Sequence, residues 1–541
     1  MPGALKKVTD NLGAARVILR AGLVPIPRAD RGIYSILSVD RYGPFAGVVH
    51  AHARNGLDAV AVVDERGQLT YAELEELSNA LVRAWVADGV TPGSVMGAMC
   101  RNHRGLVLAM LAAAKAGTKL VLMNTGFAPP QLMDVAAREQ VRAFVYDEEF
   151  QEVADALPAD VRRYLSWGED PSGRVRALDE LVLDRPTDTV PRPPTHGSFV
   201  LLTSGTTGTP KGAPRERTSA LSAAQFLDRI PLRNGQTMVM AAPAFHGTGL
   251  SQVGVALALG QTVVMQRNFD PEAALSLVAE NRADTLVVVP TMLQRIVDLG
   301  AETVAKYDTS NLKVIFAAGS ALSPDLCTRT TEAFGHVLYN LYGSTEVAVA
   351  TVATPAELAE APGTAGRAPV TCHVELYDDA GTRITKPGRI GRIFVSSGLS
   401  FNGYTDGHDK ERINGLLCTG DVGHFDEHGL LFVDGRDDDM IVSGGENVYP
   451  LEVENLLVAR PDVLEAAVIG VEDTEFGHRL KAYVVTAAGA PRDEQDLKAY
   501  VKTHLARYKV PREVVFLEEL PRNATGKLMR RVLIEMDSPY T

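Results

Sequence analysis

The sequence is poor in cysteine and has none of the cysteine spacings that bind metals or build a disulfide framework. Its four cysteines, among 541 residues, are Cys100, Cys327, Cys372 and Cys418, and no two are spaced as C-x-x-C. Scattered thiols of this kind are typical of reduced cytosolic proteins. The pattern therefore argues against a secreted scaffold or a zinc site, and it predicts a cytoplasmic protein.

Long apolar runs are also missing. The most apolar window, residues 105–123, contains Lys115 and Lys119, so it predicts a helix followed by a strand and not a membrane span. The amino terminus mixes basic with apolar residues and lacks the continuous apolar core of a signal peptide. It is predicted to pack on the domain, and peripheral contact with a membrane surface is the alternative.

Positive charge is in deficit as well. The net charge is -13 at pH 7 and no basic stripe occurs, which argues against nucleic-acid binding. The hydrophobic fraction of 45% and the charged fraction of 22% are ordinary for a soluble globular protein. The composition makes no prediction of the oligomeric state.

The chain is too long for one hydrophobic core, so two or more domains are expected. Strand and helix patterns alternate from about residue 46 to residue 400, interrupted by a connection at residues 170–194, which predicts parallel sheets covered by helices. The predicted strands include residues 95–99, 237–240 and 262–265. Short alternating strands at residues 374–395 indicate a β-subdomain. We predict an α/β fold with a large amino-terminal domain of α/β sheets plus this subdomain, residues 1–436, and a smaller α+β carboxy-terminal domain, residues 437–541.

A loop rich in glycine and small hydroxyl residues follows the apolar run at residues 199–202. It reads TSGTTGTPKG, residues 203–212, and it lacks the Gly-Lys-Ser/Thr ending of a Walker A loop. Glycines admit a ligand close to the backbone, N–H groups and hydroxyls donate to phosphate oxygens, and lysine adds a point charge. The residues predicted to bind phosphate are Thr203, Ser204, Gly205, Thr206, Thr207, Gly208 and Lys211.

This loop and four later motifs resemble, in their order, the signatures of the adenylate-forming superfamily, which contains acyl-CoA synthetases, peptide-synthetase adenylation domains and luciferases. The later motifs are AAGSALS at residues 317–323, NLYGSTE at 340–346, the stretch around TGD at 418–454, and LPRNATGK at 520–527. In the last motif Pro521, Asn523 and Gly526 predict a loop, and a helix is predicted to begin at Lys527. The resemblance implies an AMP-forming acyl-CoA synthetase that uses ATP, Mg²⁺ and CoA.

The resemblance implies an ATP site built at the ends of several strands. Asp421 can accept hydrogen bonds from both ribose hydroxyls, and Arg436 can donate to the same sugar. Glu346 is the implied Mg²⁺ ligand, and it shares the implied catalytic role with Lys527, Thr345 and Lys211. The implied nucleotide contacts outside the glycine-rich loop are Gly319, Ser320, Ala321, Tyr342, Gly343, Ser344, Thr345, Asp421, Arg436 and Lys527.

The later motifs also carry implied roles in a second step. The resemblance makes Asp438 the hinge of a mobile carboxy-terminal domain, and it assigns Ser443, Gly444 and Gly445 to the CoA channel. Residues 403–417 are more polar than in the family, which leaves the local substrate and CoA environment open. His424 and His428 have the spacing of a helical metal pair, but their strand–turn–strand context disfavours a metal site.

The predicted acyl pocket contains no lysine, arginine or acidic residue. A pocket without charge suits an alkyl chain, and small residues at Gly249, Gly319 and Ala348 are expected to leave room for its length. We therefore predict a ligase for medium- or long-chain fatty acids. The alternatives are an aryl-acid CoA ligase, an acyl-AMP ligase that loads a carrier protein, and a non-catalytic nucleotide-binding relative. The predicted pocket residues are Phe245, His246, Gly249, Val253, Gly319 and Ala348, with Gln252, Ala317, Leu341 and Val347 as further candidates.

Overall fold

The structure is a computed structural model of the chain. It describes residues 2–23, 29–56, 59–170, 173–203, 211–215, 223–401, 403–443, 446–473, 477–523 and 526–537.

The helices begin and end as follows along the chain: α1 (Pro2–Ala21), α2 (Ala29–Arg54), α3 (Tyr71–Ala87), α4 (Arg104–Ala116), α5 (Pro129–Arg138), α6 (Gln151–Asp155), α7 (Leu178–Val182), α8 (Ala224–Leu227), α9 (Gly247–Ala258), α10 (Pro271–Glu280), α11 (Pro290–Val297), α12 (Ala301–Val304), α13 (Pro324–Phe334), α14 (Pro355–Glu360), α15 (Pro450–Val458), α16 (Glu494–His504) and α17 (Arg530–Met536).

The strands are β1 (Val60–Asp64), β2 (Gly67–Thr70), β3 (Val95–Met99), β4 (Lys119–Leu122), β5 (Ala143–Asp147), β6 (Arg162–Trp167), β7 (Arg176–Ala177), β8 (Ser198–Thr203), β9 (Lys211–Arg215), β10 (Thr237–Met240), β11 (Thr262–Met265), β12 (Thr285–Val288), β13 (Val314–Ala318), β14 (Leu338–Tyr342), β15 (Thr351–Ala353), β16 (His373–Tyr377), β17 (Arg383–Ile384), β18 (Gly391–Ser396), β19 (Arg412–Ile413), β20 (Leu416–Phe425), β21 (Leu431–Arg436), β22 (Ile441–Ser443), β23 (Glu446–Val448), β24 (Val463–Asp473), β25 (Gly477–Thr486) and β26 (Glu513–Phe516).

Two largely parallel sheets form the large domain. The eight-stranded sheet has the order β15-β14-β13-β12-β10-β11-β1-β2, and the seven-stranded sheet has the order β7-β6-β5-β3-β4-β8-β9. Antiparallel pairs occur at β1–β2 and β14–β15 in the first sheet and at β8–β9 in the second. The carboxyl ends of parallel strands meet at one edge of a sheet, so ligands of such folds bind there.

The other two sheets are smaller. The six-stranded antiparallel sheet has the order β17-β16-β18-β20-β19, with β21 paired to β20. The five-stranded sheet has the order β23-β22-β25-β24, with β26 added in parallel to β25. The first is the predicted β-subdomain, and the second, flanked by α15, α16 and α17, is the core of the smaller carboxy-terminal domain. The predicted fold class is therefore confirmed.

Several predicted elements have the bounds read from the sequence, among them β3, β10 and β11. The segment at residues 170–194 was predicted as an irregular connection, and it differs. Within it, β7 pairs in parallel with β6, and α7 buries Leu178 and Leu181 against the domain. Two apolar side chains spaced three residues apart were enough to form a short helix among charged residues.

The apolar window at residues 105–123 is α4 followed by β4, as predicted. Lys115 is wholly buried in this helix because its ammonium group donates to the Glu75 carboxylate at 2.7 Å and to the Ser78 hydroxyl at 2.7 Å. Burial would raise the pKa of Glu75, but the His50 hydrogen bond and the Lys115 charge outweigh it and lower that pKa to about 2. Among the described helices, none is both long enough and apolar enough to cross a membrane.

The amino-terminal helix packs on the large domain, which was one of the two predictions for this segment. Val17 and Ile18 of α1 are buried, and the Arg20 guanidinium donates to the backbone oxygen of Asp228 at 2.8 Å. Leu12, on the outer face, keeps 68% of its surface exposed. The four cysteines are buried free thiols.

Candidate active site

The predicted phosphate loop connects two antiparallel strands of the seven-stranded sheet. Thr203 ends β8 and lies opposite Lys211, which begins β9. The Lys211 ammonium lies 3.5 Å from a carboxylate oxygen of Asp406 and faces the Tyr404 ring at 5.5 Å. Residues 204–210 of the loop lie outside the described part of the chain, and they include the predicted phosphate-binding residues Ser204, Gly205, Thr206, Thr207 and Gly208.

Glu346, in the turn after β14, is a buried carboxylate held by two hydroxyl groups. Tyr404 donates to one carboxylate oxygen at 2.6 Å, and Ser344 donates to the other at 2.7 Å. Burial would raise the pKa of Glu346, but the positive charge of Lys410 and these two hydrogen bonds together lower it. Glu346 is therefore an ionised carboxylate at neutral pH, with oxygen lone pairs left for a cation.

The turn itself is closed by a tight backbone contact. A Cβ atom at Gly343 would lie 2.1 Å from the carbonyl oxygen of Ala348, so this position requires glycine. Ala348 has a φ of +61°, which is unusual for a residue with a side chain. Thr345, half-buried, lies between them in the chain. The predicted metal and phosphate residues thus occupy one compact turn.

A second carboxylate, Asp421, is held from the same strand end. Tyr342, the last residue of β14, donates its hydroxyl proton to Asp421 at 2.6 Å, and its oxygen lies 3.2 Å from the Thr419 hydroxyl. Asp421 and Arg436 lie opposite each other on β20 and β21, and the Arg436 Nε is 3.6 Å from an Asp421 oxygen. Burial raises the pKa of Asp421, and the Tyr342 hydrogen bond and the Arg436 charge limit that rise.

Gly319, Ser320 and Ala321 follow β13 and are exposed at the sheet edge. Gly319 has a φ of +104°, and a Cβ atom there would lie 3.6 Å from Val289 and 3.8 Å from the Thr248 hydroxyl. The strand end is therefore open to a flat ligand on one side and faces the ends of β12 and α9 on the other.

The loop that carries Lys527 docks from the small domain onto this edge. Gly526 has a φ of +77°, and a Cβ atom there would lie 2.3 Å from the Thr291 hydroxyl and 3.4 Å from Val289. Part of the Lys527 side chain stays exposed. We call the space between this loop and the strand ends that carry Glu346 and Asp421 the cleft. Burial lowers the pKa of Lys527, the Arg436 charge lowers it further, and the charges of Asp421 and Glu346 raise it. The docking of Gly526 on Thr291 therefore places the predicted lysine close enough to both predicted carboxylates for their charges to act on it.

The helix after Lys527 begins later than predicted. The sequence was taken to open a helix at Lys527, but residues 522 and 528 form an isolated antiparallel bridge and α17 begins at Arg530. The Lys527 amide donates to the Asn523 side chain at 3.0 Å, which is a loop contact. Lys527 consequently lies on a closed loop and not on a helix.

The predicted acyl residues gather at the start of α9. The rings of Phe245 and His246 lie 5.0 Å apart, and Asn102 fixes their segment by accepting from the Ala244 amide at 2.8 Å. Burial, aided by the charge of Lys527, lowers the pKa of His246 to about 3, so this imidazole is neutral at physiological pH. Among the described residues, its buried Nε2 has no hydrogen-bond partner. Val253 is wholly buried one helical turn beyond Gly249.

The sequence predicted that Gly249 leaves room for a longer substrate, and this prediction is wrong. A Cβ atom at Gly249 would lie 2.2 Å from the carbonyl oxygen of Pro243, so the small residue is used for close packing of α9 on the preceding segment. The space that a side chain would take at this position is occupied by the backbone of Pro243.

The predicted hinge and CoA residues lie beyond β21. Asp438 accepts a hydrogen bond from Arg436 Nε at 3.0 Å. Ser443, the last residue of β22, is buried and pairs with Glu446 and Gly477. Gly444 and Gly445 lie outside the described residues.

Three residues in the cleft had no role assigned from the sequence. Tyr404 and Lys410 lie in the unusually polar segment at residues 403–417, and Lys410 donates to the Thr419 backbone oxygen at 2.8 Å. Thr291 is the second residue of α11, the helix against which the Lys527 loop docks. The polarity of residues 403–417 was the one sequence signal that pointed to any of them.

The histidine spacing that resembles a metal pair is structural. His424 lies in β20, where its Nδ1 pairs with Asp434 at 2.8 Å, while His428 is exposed on the following turn. A separate group of possible ligands comprises Cys100, His103 and Asp147. His103 accepts from the Gly105 amide and donates to Asp147 at 2.8 Å, so both ring nitrogens are used and the group holds strand ends together.

Comparison with known proteins accounts for this arrangement. A family model described as AMP-binding enzyme matches residues 49–405, and one described as AMP-binding enzyme C-terminal domain matches residues 452–527. The chain is 34% identical over 494 residues to the indoleacetate–CoA ligase of Aromatoleum aromaticum, covering 89% of this chain and 95% of that protein. It is 30% identical over 497 residues to a fatty acid–[acyl-carrier-protein] ligase of Streptomyces coeruleorubidus, covering 89% and 94%. The fold matches the crystal structure of ATP-bound MatB from Rhodopseudomonas palustris with a TM-score of 0.79 and 27% identity, covering 91% and 98%.

Replacing Gly526 by alanine is expected to undock the lysine loop, because the new Cβ would meet the Thr291 hydroxyl at 2.3 Å on a backbone with φ +77°. Clash and strain of about 1–3 kcal/mol correspond to a factor of roughly 5 to 150 in the docking equilibrium. Hydrogen–deuterium exchange of a peptide spanning residues 523–529 should accelerate by that factor in Gly526→Ala.

Gly489→Ala is the matched control, since Gly489 has φ +79° but no atom within 4 Å of its Cβ position. It should leave the exchange of residues 523–529 unchanged. Adding Thr291→Ala to Gly526→Ala removes the clashing hydroxyl and should slow the exchange again in part, while the strain at φ +77° remains. Equal exchange rates in Gly526→Ala and the unmodified protein would show that the loop does not dock here.

Proposed function

Because this chain belongs to the AMP-binding enzyme family, we propose that it is an AMP-forming ligase that joins a carboxylic acid to the thiol of CoA. The single observation that carries the proposal is that the small-domain loop of Lys527 docks, through Gly526, on Thr291 of the large domain, close enough to Glu346 and Asp421 for their charges to act on the lysine. A family member without catalytic function would have no need of a lysine loop docked against these carboxylates.

The first step is the attack of the acid on ATP. A carboxylate is already ionised at neutral pH, so it needs no general base. One carboxylate oxygen bonds to the α-phosphorus and the bond to the bridging oxygen breaks, which forms acyl-AMP and releases pyrophosphate. The difficulty is repulsion between anions, and we assign its relief to the ammonium groups of Lys211 and Lys527 and to the phosphate loop.

Glu346 fits the role of a magnesium ligand. It is ionised, its two oxygens are oriented by Tyr404 and Ser344, and each oxygen retains a lone pair. When bound, Mg²⁺ would neutralise charge on the phosphates. Thr345, in the same turn, is assigned to the α-phosphate.

The nucleotide is assigned to the strand ends around this turn. Asp421 and Arg436 lie side by side and offer an acceptor and a donor to the ribose hydroxyls. Gly319, Ser320 and Ala321 offer an exposed backbone edge to the adenine ring. Tyr342 uses its hydroxyl to fix Asp421, which leaves its ring as the surface available to the purine.

The second step transfers the acyl group to a thiol. The sulfur of CoA attacks the mixed anhydride, the acyl–phosphate bond breaks, and AMP leaves. We propose a domain boundary between residues 436 and 437, a hinge at Asp438, and a CoA channel beside Ser443, Gly444 and Gly445. Rotation about the hinge would withdraw Lys527 after adenylation and present the channel.

Two classes of acid remain candidates. The buried apolar residues Phe245 and Val253 support the predicted medium- or long-chain fatty acid, and one relative is named for fatty acids. The relative named for indoleacetate supports an aryl acid. The same pair of relatives leaves a carrier protein as the alternative acceptor to CoA.

We propose that the enzyme is cytoplasmic and that it can also contact a membrane surface peripherally. Leu12 and Leu19 of α1 and Ile33, Ile36 and Leu37 of α2 keep large exposed fractions. These apolar side chains could contact a membrane surface while α1 stays packed on the domain.

The function is tested by incubating the protein with ATP, Mg²⁺ and CoA and measuring AMP and acyl-CoA. The acids should run from acetate to oleate and include benzoate and indoleacetate. Acyl-CoA formation with any acid supports the ligase, and the preferred acid selects its class. Pyrophosphate release without a thioester would move the acceptor to a carrier protein. ATP binding without any turnover would favour the non-catalytic relative.

Lys527→Ala is expected to lower the adenylation rate by about 100-fold or more, because a charge directed at the reacting phosphate is lost. The rate at which CoA thioester forms from supplied acyl-AMP should be unchanged, since the lysine has no part in that step. Lys502→Ala, which removes an exposed lysine of the same domain, is the control and should affect neither reaction. Equal loss of both half-reactions would contradict the assignment of Lys527.

Asp438→Pro is expected to show the reverse pattern, because proline fixes φ at the proposed hinge. Adenylation should persist while thioester formation falls. Asp438→Ala removes the same hydrogen bond to Arg436 but leaves φ free, so it should retain both half-reactions. Normal overall turnover by Asp438→Pro would argue against a hinge at this residue.

A further inference from the structure

Gln252, on α9, is a wholly buried amide without a partner. Its relative exposure is 0%, and neither Oε1 nor Nε2 has a hydrogen-bond partner among the residues that the structure describes. Gln225 and Gln261 are equally buried, but each makes one side-chain hydrogen bond, to Cys372 and to the Arg233 backbone respectively. Buried polar groups in folded proteins are almost always paired, so the two open ends of Gln252 need an explanation.

The geometry of α9 gives the direction of this side chain. Thr248 precedes Gln252 by one turn on the same helix face, and the Thr248 hydroxyl lies 3.8 Å from the Cβ position of Gly319. Gly247 and Gly254, on a different face, approach Leu201 and Phe45. Gln252 therefore lies on the face of α9 that is directed toward the end of β13. It is one helical turn further from the strand end than Thr248.

The predicted pocket residues that precede and follow Gln252 in the chain are apolar or uncharged. Phe245 and Val253 are buried, and His246 is neutral at physiological pH. An apolar acyl chain laid against this face would cover the amide without pairing it. An acid with a hydroxyl or ring N–H group at the right depth would pair it, since a primary amide both donates and accepts.

We propose that Gln252 is a specificity-determining residue that hydrogen-bonds a neutral polar group on the acyl part of the substrate. The preferred acid is then one that carries a hydroxyl or ring N–H group beyond its carboxylate, in place of a plain alkyl or aryl acid. This inference rests on the proposed ligase function, and it names the substrate class of that same site. A site built to pair a polar group rejects analogues that lack it far more strongly than an apolar pocket rejects an added hydroxyl.

The test uses pairs of acids that differ by one polar group. The pairs are 4-hydroxycinnamate with cinnamate, 4-hydroxyphenylacetate with phenylacetate, and 8-hydroxyoctanoate with octanoate. In the unmodified enzyme, kcat/KM for AMP formation should favour the hydroxylated member by roughly tenfold or more in at least one pair. Gln252→Leu should abolish or reverse that preference, mainly by raising kcat/KM for the plain acid.

Gln261→Leu is the matched control, because it removes an equally buried glutamine that lies before β11, at the edge of the sheet opposite the carboxyl ends. It should leave the preference unchanged. Plain acids that are preferred in every pair, or a ratio unaffected by Gln252→Leu, would overturn the inference while leaving the ligase function intact. Failure to form AMP from any acid would instead overturn the proposed function.

The melting temperature of the ligand-free protein provides a readout that needs no activity. Replacing an unpaired buried amide by leucine should hold or raise the melting temperature, whereas Gln261→Leu should lower it, because a hydrogen bond is lost. A clear drop in Gln252→Leu would show that the amide has a structural partner, and it would overturn the inference.

Discussion

Two hydrogen bonds from tyrosine to carboxylate hold the candidate site together. Tyr342 donates to Asp421, and Tyr404 donates to Glu346. Each bond joins the eight-stranded sheet, through the end of β14 or the turn after it, to the antiparallel sheet and its loops. A buried carboxylate without such a donor favours its neutral form, and a neutral acid would not hold a cation. The placement of one sheet against the other therefore determines the charge of the site as well as its shape.

The cations of the cleft come from different parts of the chain. Lys211 begins an edge strand of the seven-stranded sheet, Arg436 ends β21, and Lys527 arrives on a loop of the small domain. The Arg436 charge lowers the pKa of Lys527, so the two groups repel each other when no anion lies between them. By linkage, an anion bound there strengthens the docking of the loop, and its departure weakens it. If Lys527 binds a phosphate as proposed, this repulsion would also weaken the docking of the loop once the phosphate has left.

The parts of the site that follow β8, β13 and β14 were predictable because each of these motifs follows a short apolar run, and parallel strands end at one edge of a sheet. Tyr404, Lys410 and Thr291 were not predictable in this way, since their contacts depend on how distant segments meet. Gly249 was misinterpreted because a missing side chain can mean space for a ligand or close approach of backbone, and the sequence does not distinguish them. The start of α17 was misplaced for a similar reason, since the bridge between residues 522 and 528 closes a loop where the local pattern allowed a helix.

Two features of the predicted pocket bear on the identity of the acid, namely its apolar residues and the buried amide of Gln252. The sequence named Gln252 among the pocket residues but drew its conclusion from the apolar majority and from the absence of charge. Apolar walls discriminate weakly, because dispersion contacts accept an alkyl chain, an aromatic ring or a ring that carries a hydroxyl with similar ease. A buried amide discriminates strongly, because a ligand that cannot pair it leaves both of its ends desolvated and unpaired. One unpaired polar group is therefore better evidence about the substrate than the larger number of apolar residues around it.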